Sequence, residues 1–279
     1  MLTTDEEIVM NQIDDWLMSL QSKDQNKFNA IFQRNYRRLI KIIPSNYKED
    51  LLNITSSAFF YSQVLLQSSK NFLNKKQEII QRARFFNKNI AMIKDLQQLS
   101  LTELDFLVQQ EISKMKVYST FQGGLTGTGN LSTLIADLPT LFLLNFNCVQ
   151  VIAMHYGFDV SIPLEMETAL KVFQASLLPF SCQYSSFKLL NEELSMKNED
   201  QLFYDREYTI LNEDFYQTII LHLFKLAIIA YLRNKSSKKI SFLGIIVGAK
   251  WNDSTTNHIL QYTQRFYQYR LLLKKEKGS

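Results

Sequence analysis

The chain has 279 residues, 46% hydrophobic and 21% charged, the balance of a folded globular protein and not of a disordered tail or a fibre. Eight Gly and four Pro are too few for an all-β protein built on tight turns. Two cysteines, Cys148 and Cys182, exclude a disulfide scaffold, and a net charge of +4, scattered and without a recognition motif, argues against nucleic acid as a partner.

The first residues, Met1-Leu2-Thr3-Thr4-Asp5-Glu6, are acidic and lack the basic and apolar parts of a signal peptide. The expectation is a cytoplasmic protein with reduced thiols. Asp5 to Leu20 reads as a short helix. Phe28, Ile31, Phe32, Leu39, Ile42 and Ile43 share one face of a second helix that Pro44 stops, with Arg34, Arg37 and Arg38 opposite. A basic face of this kind suits an anionic membrane surface, although a solvated face on a core helix is the commoner use.

Helix continues over 45–69. From Asn71 to Gln97 the apolar residues Ile79, Ala83, Phe86, Ile90 and Ile93 repeat in steps of four and three, as in a helix packing along a neighbour. Ser100 or Thr102 then caps a helix through Leu104, Leu107, Ile112 and Met115, with Glu103 in its first turn. The texture changes at Val117. The stretch from Phe121 to Asn130 holds Gly123, Gly124, Gly127 and Gly129, half of all the glycines, and reads as a special connecting backbone.

Leu131 to Tyr156 is strongly apolar helix, read in two pieces, with Asp137 as N-cap of the second and Pro139 in its first turn. Asn145 and Asn147 point to different faces, so at least one faces the core. Gly157 ends the helix in the left-handed region, and Ser161 with Pro163 opens the next, Glu165 being its first-turn acid. Residues 181–211 are polar and read as a loop with one short helix. Asn212 caps a helix to Arg233, and the last helix runs from about Asp253 to Lys274. Between them, Gly244 and Gly248 stand four apart, a spacing that lets helices approach closely. No apolar stretch is long enough and free enough of polar breaks to span a bilayer. The expected fold is all-α, a single multi-helix bundle over residues 1–279 with two Gly-rich helix-connecting segments. Residues 1–116 would form N-terminal helices and 117–279 the core.

Chemistry-bearing motifs are scarce. Gly124 and Gly129 have P-loop spacing, but Asn130 stands where Lys is required. Gly127-Thr128-Gly129 begins a dinucleotide fingerprint that Ser132 breaks. His155, His222 and His258 lack ligand spacing, so no metal and no cofactor is expected. Cys148 and His155 share a helix face, but a nucleophile pair needs a third orienting group. Asp137, in apolar surroundings, must be capping, paired or protonated. An enzyme would centre on it, with Tyr156 or Asp159 and the glycine loop as anion holder.

Four groups of residues carry a resemblance. They are the Gly-x-x-x-Gly-x-Gly run from Gly123, Ala136-Asp137-Leu138-Pro139, the pair Tyr156-Gly157-Phe158-Asp159 and Pro163-x-Glu165, and Leu243-Gly244-x-x-x-Gly248-Ala249-x-x-Asn252 with Tyr267 and Arg270 beyond. Together they resemble the EcsC family over nearly the whole chain, with Ser241-Phe242 where the family pattern usually has a Pro. The resemblance brings no catalytic residue. Gly127, Asp137, Pro139, Tyr156, Gly157, Asp159, Gly244, Gly248 and Asn252 are its signature positions. It implies association with an ABC transporter, since the family is named from an operon that encodes a transporter ATPase and its membrane subunit. The expectation is a non-enzymatic accessory protein that binds a membrane surface or an apolar, lipid-like ligand. A protein-interaction module or homodimer is the first alternative, and an enzyme of unassigned chemistry at Asp137 the second.

Overall fold

The computed structural model describes residues 2–23, 70–126, 131–178, 180–196 and 241–277. The expected helices at 28–43, at 45–69 and from Asn212 lie outside them, as do Gly127 and Gly129. Among the described residues there is no strand, and the all-α expectation holds. The helices are α1 (Thr4–Lys23), α2 (Lys70–Ala83), a 3-10 turn (Ile93–Gln98), α3 (Leu101–Thr126), α4 (Leu131–His155), α5 (Pro163–Leu177), α6 (Phe180–Met196) and α7 (Ser241–Lys277).

The core is organised around α7, which has 37 residues and is therefore about 55 Å long. It packs most extensively on α3 and also lies against α4, α5 and α1. α1 in turn lies on α6, and α4 lies on α3 and α5. Where α1, α6 and α7 meet, Trp16 stands edge-on to Phe187 and Tyr262, with ring centroids 6.1 and 5.8 Å away. Lys275, near the end of α7, returns to the start of the chain. Its Nζ donates to Glu6 at 2.6 Å and to the Leu99 carbonyl at 3.2 Å.

Local chemistry explains the boundaries. Ser100 opens α3 with a capping box. Its Oγ accepts from the Glu103 N–H at 3.3 Å, and its own N–H donates to the Glu103 carboxylate at 2.8 Å. Thr102 lies inside the helix. The 79–93 repeat is apolar as expected, but α2 stops at Ala83. The Asn-rich run beyond it supplies turn bonds instead: Asn87 Oδ1 accepts from Asn89 N–H, and Asp95 Oδ2 accepts from both Ala91 and Met92. Phe86 is thereby left on the outside.

Three boundaries differ from expectation. α4 is one helix, so Asp137 and Pro139 lie in its interior and not at a cap. Pro139 has no N–H for the Ile135 carbonyl, so the ladder loses one rung there. The helical cap of α5 is Ile162 and not Ser161. The polar stretch from 181 belongs to α6, a 17-residue helix. Its side chains satisfy backbone carbonyls: Gln183 Nε2 donates to Ser176 and Leu178, and Asn191 Nδ2 to Phe187. The described glycines of the segments expected as connectors are helical as well. Gly123 and Gly124 lie in α3, and Gly244, Gly248 and Asn252 lie in α7.

Candidate functional site

The sequence from Tyr156 to Asp159 turns the chain out of α4 at a corner where five further elements meet it. Gly157 has φ +81°, the left-handed conformation that an L side chain resists. Its carbonyl accepts from Gln97 Nε2 at 2.9 Å, which ties the corner to the 3-10 turn. The Phe158 N–H donates back to the Ala153 carbonyl and the Gly157 N–H to that of Met154, closing the helix end.

Each side chain of the corner reaches a different helix. Tyr156 is fully buried, and its hydroxyl donates to Asp105 on α3 at 2.5 Å. Gln268 on α7 donates to both Asp105 oxygens at 2.9 Å. Phe158 packs on Tyr267 and lies under the Arg270 guanidinium, 4.1 Å from its ring centre. That same Arg270 grips Glu165 of α5 with two bonds, of 2.5 and 2.8 Å. Asp159 accepts from Lys76 of α2 at 2.6 Å and from the Ser161 N–H at 3.0 Å. Burial pushes the Asp159 carboxyl up, but the Lys76 and Ser161 hydrogen bonds outweigh it and leave the group below its usual range.

Asp105 behaves in the opposite way. Burial raises its carboxyl above the ordinary 3.8, and the bonds from Tyr156 and Gln268 only partly offset this. The sign follows from proton binding. The folded state holds the proton more tightly than the unfolded chain, so this stabilisation is full below the unfolded value and is lost as pH rises through the raised folded one. Asp105→Asn is therefore expected to match the native protein within about 1 kcal/mol at neutral pH and to flatten the pH dependence just above 3.8. Asp105→Leu strands the Tyr156 hydroxyl and the Gln268 amide and is expected to cost about 2 kcal/mol. Urea titrations across pH test both.

A second charged cluster lies beside the corner. Glu111 of α3 is buried, 2.6 Å from Lys75, 3.5 Å from Arg82 and 3.6 Å from Lys114. Arg82 also pairs with Glu78. His155 donates from Nδ1 to the Val151 carbonyl at 2.8 Å, which leaves Nε2 unprotonated. Burial lowers its pKa to about 4 against the pull of Val151 and Glu111, so the imidazole is neutral at ordinary pH. Burial, with Glu111 adding to it, pushes the Cys148 thiol up to about 12. A thiol and an imidazole held in these states do not form a nucleophile pair.

The expected site residues separate into groups. Tyr156, Gly157 and Asp159 converge at the corner. Asn145 is buried within α4, and Asn147 is half-buried. Asp137 is 18 residues before His155 on the same helix, about 27 Å along its axis, so it does not share a cleft with Asp159. Gly244, Gly248 and Asn252 begin α7. Among the described residues, no group of three or more His, Cys, Asp or Glu is placed to hold a metal ion. The partners Gln97, Asp105, Lys76 and Gln268 carry no motif of their own. Gln268 is buried and the other three half-buried, and only their contacts in the fold mark them.

A different surface stands out at the opposite polarity. Between α2 and the 3-10 turn, Phe85 is 90% exposed and Met92 is 56% exposed. Phe106 of α3 is also 56% exposed and meets Phe86 edge-on, with centroids 6.2 Å apart. Among the described residues no helix is long and apolar enough to cross a membrane.

A family model described as the EcsC protein family matches residues 7–272. The chain is also 22% identical to a Bacillus subtilis protein named uncharacterized protein YdbA, over 97% of this chain and 94% of that one. No solved structure matches the chain.

Proposed function

Because the chain belongs to the EcsC protein family, we propose that it is a non-enzymatic accessory protein that works against a membrane surface. The observation that carries this reading is the apolar surface left outside the core around Phe85, Met92 and Phe106. Large apolar side chains exposed close together in the chain, with Phe86 meeting Phe106 beside them, support an interaction site there. The signature corner supports the same reading from within. Tyr156 is held by Asp105, Asp159 by Lys76, and Glu165 by Arg270. These groups bind the fold to itself, and Asp137 lies too far along α4 to join them.

The membrane it serves is, on this proposal, one that holds an ABC transporter. That part rests on the family alone, and co-purification with tagged transporter subunits tests it. Vesicle flotation tests the membrane part. The expected result is co-flotation of the purified chain with phospholipid vesicles. Protein that stays at the bottom with both anionic and neutral vesicles would overturn it.

A further inference from the structure

We infer that the corner at residues 84–94, with Phe106 beside it, is a preformed wedge that seats on an anionic phospholipid surface, Phe85 entering the interface and the flanking cations meeting lipid phosphates. This deepens the membrane reading above and rests on it.

Three observations on the corner itself carry the inference. The first is the side chains. Phe85 is 90% exposed two residues beyond α2, and its chain neighbour Phe86 meets Phe106 edge-on. A ring with an apolar body held out from the fold suits the boundary between headgroups and acyl chains.

The second is the charge. From Arg84 to Lys94 the chain carries Arg84, Lys88 and Lys94 and no acid, and all three cations are exposed. The next acid along the chain, Asp95, is already bound by the Ala91 and Met92 N–H groups, and beside Phe106 Asp105 is held by Tyr156 and Gln268 and Glu103 by Ser100. Cations beside an inserting aromatic select an anionic lipid surface over a neutral one.

The third is the backbone. An apolar environment offers no water to unpaired N–H groups. Eight N–H groups between Arg84 and Met92 find acceptors within the corner or the last turn of α2. The Arg84 side chain adds a bond from Nε to the Ile90 carbonyl at 2.7 Å. With eight of the nine N–H groups from Arg84 to Met92 paired, the loop enters an interface with most of its backbone donors satisfied and without ordering a flexible segment.

The test uses the full chain and two kinds of vesicle, phosphatidylcholine alone and phosphatidylcholine mixed with phosphatidylglycerol. Phe85→Ser removes the ring at a position too exposed to unfold the protein, and circular dichroism confirms the fold. It is expected to lower partitioning onto mixed vesicles about tenfold. Lys88→Glu with Lys94→Glu is expected to lose tenfold or more on mixed vesicles at low salt. Native protein that floats while both variants float equally well would overturn the wedge and leave the membrane reading standing. Native protein that floats on neither vesicle would overturn both. Loss with Phe85→Ser but none with the charge reversals would overturn the anionic recognition. A native dimer in light scattering that Phe85→Ser dissolves, with no flotation, would assign the corner to a second copy of the chain instead.

Discussion

Replacing Gly157 with alanine is expected to lower the unfolding free energy by about 3 kcal/mol. Two independent effects add at this position. A φ of +81° costs an L residue about 1–2 kcal/mol by itself. A methyl group there would also lie 2.5 Å from Gln97 Cγ, 3.1 Å from the Gln97 nitrogen and 3.3 Å from the Ile93 carbonyl oxygen. The Gln97 side chain has no easy escape, because its amide is bonded to the Gly157 carbonyl. Backing away breaks that bond and draws the 3-10 turn off the corner. Urea unfolding monitored by circular dichroism gives the number. A loss under about 1 kcal/mol would mean that the corner relaxes freely.

Glu111→Ala is expected to cost about 3 kcal/mol, the lower end for breaking a buried ion pair. The Glu111 side chain is 6% exposed and that of Lys75 23%, so removal strands a cation that water only partly reaches. Burial alone would raise the Glu111 carboxyl, but the Lys75 hydrogen bond and charge, with Lys114, bring it below the ordinary 4.5. A depressed carboxyl contributes stability that is present above its unfolded value and is lost as pH falls through the folded one. The native protein should thus weaken below about pH 4.5, and Glu111→Ala should show a shallower acid limb. Pairing Glu111→Leu with Lys75→Met is expected to recover part of the loss, with a coupling of about 1 kcal/mol or more. Recovery stays incomplete because Arg82 keeps its place beside the vacated carboxylate.

Much of this architecture was legible because some residues speak locally. Gly157 closes a long apolar run and sits at its left-handed end. Ser100 and Glu103 stand three apart and form the box their spacing implies. Other features were hidden because the decisive partner is distant in the chain. Asp105 and Gln268 look like ordinary surface residues until α7 folds back on α3. The polar face of 180–196 resembles a loop by composition. It is a helix because Gln183 and Asn191 turn their amides to backbone carbonyls. The apolar period through Phe86 continued past the helix stop, so periodicity alone placed in the core a ring that stands outside it. The glycine pairs Gly123-Gly124 and Gly244/Gly248 misled in the same way, since helical backbone tolerates glycine at a modest cost.

The bond from Lys275 to Glu6 joins residues 269 apart, and α7 supplies the surface on which α3 is buried. At ribosomal rates, on the order of ten seconds or more separates the synthesis of these two residues. From its own synthesis until that of α7, the apolar stripe of α3 waits for a helix that does not yet exist. The nascent chain is therefore expected to expose that stripe until α7 emerges. Even partial deletion of α7 should cause aggregation in the cell more readily than it impairs any surface activity.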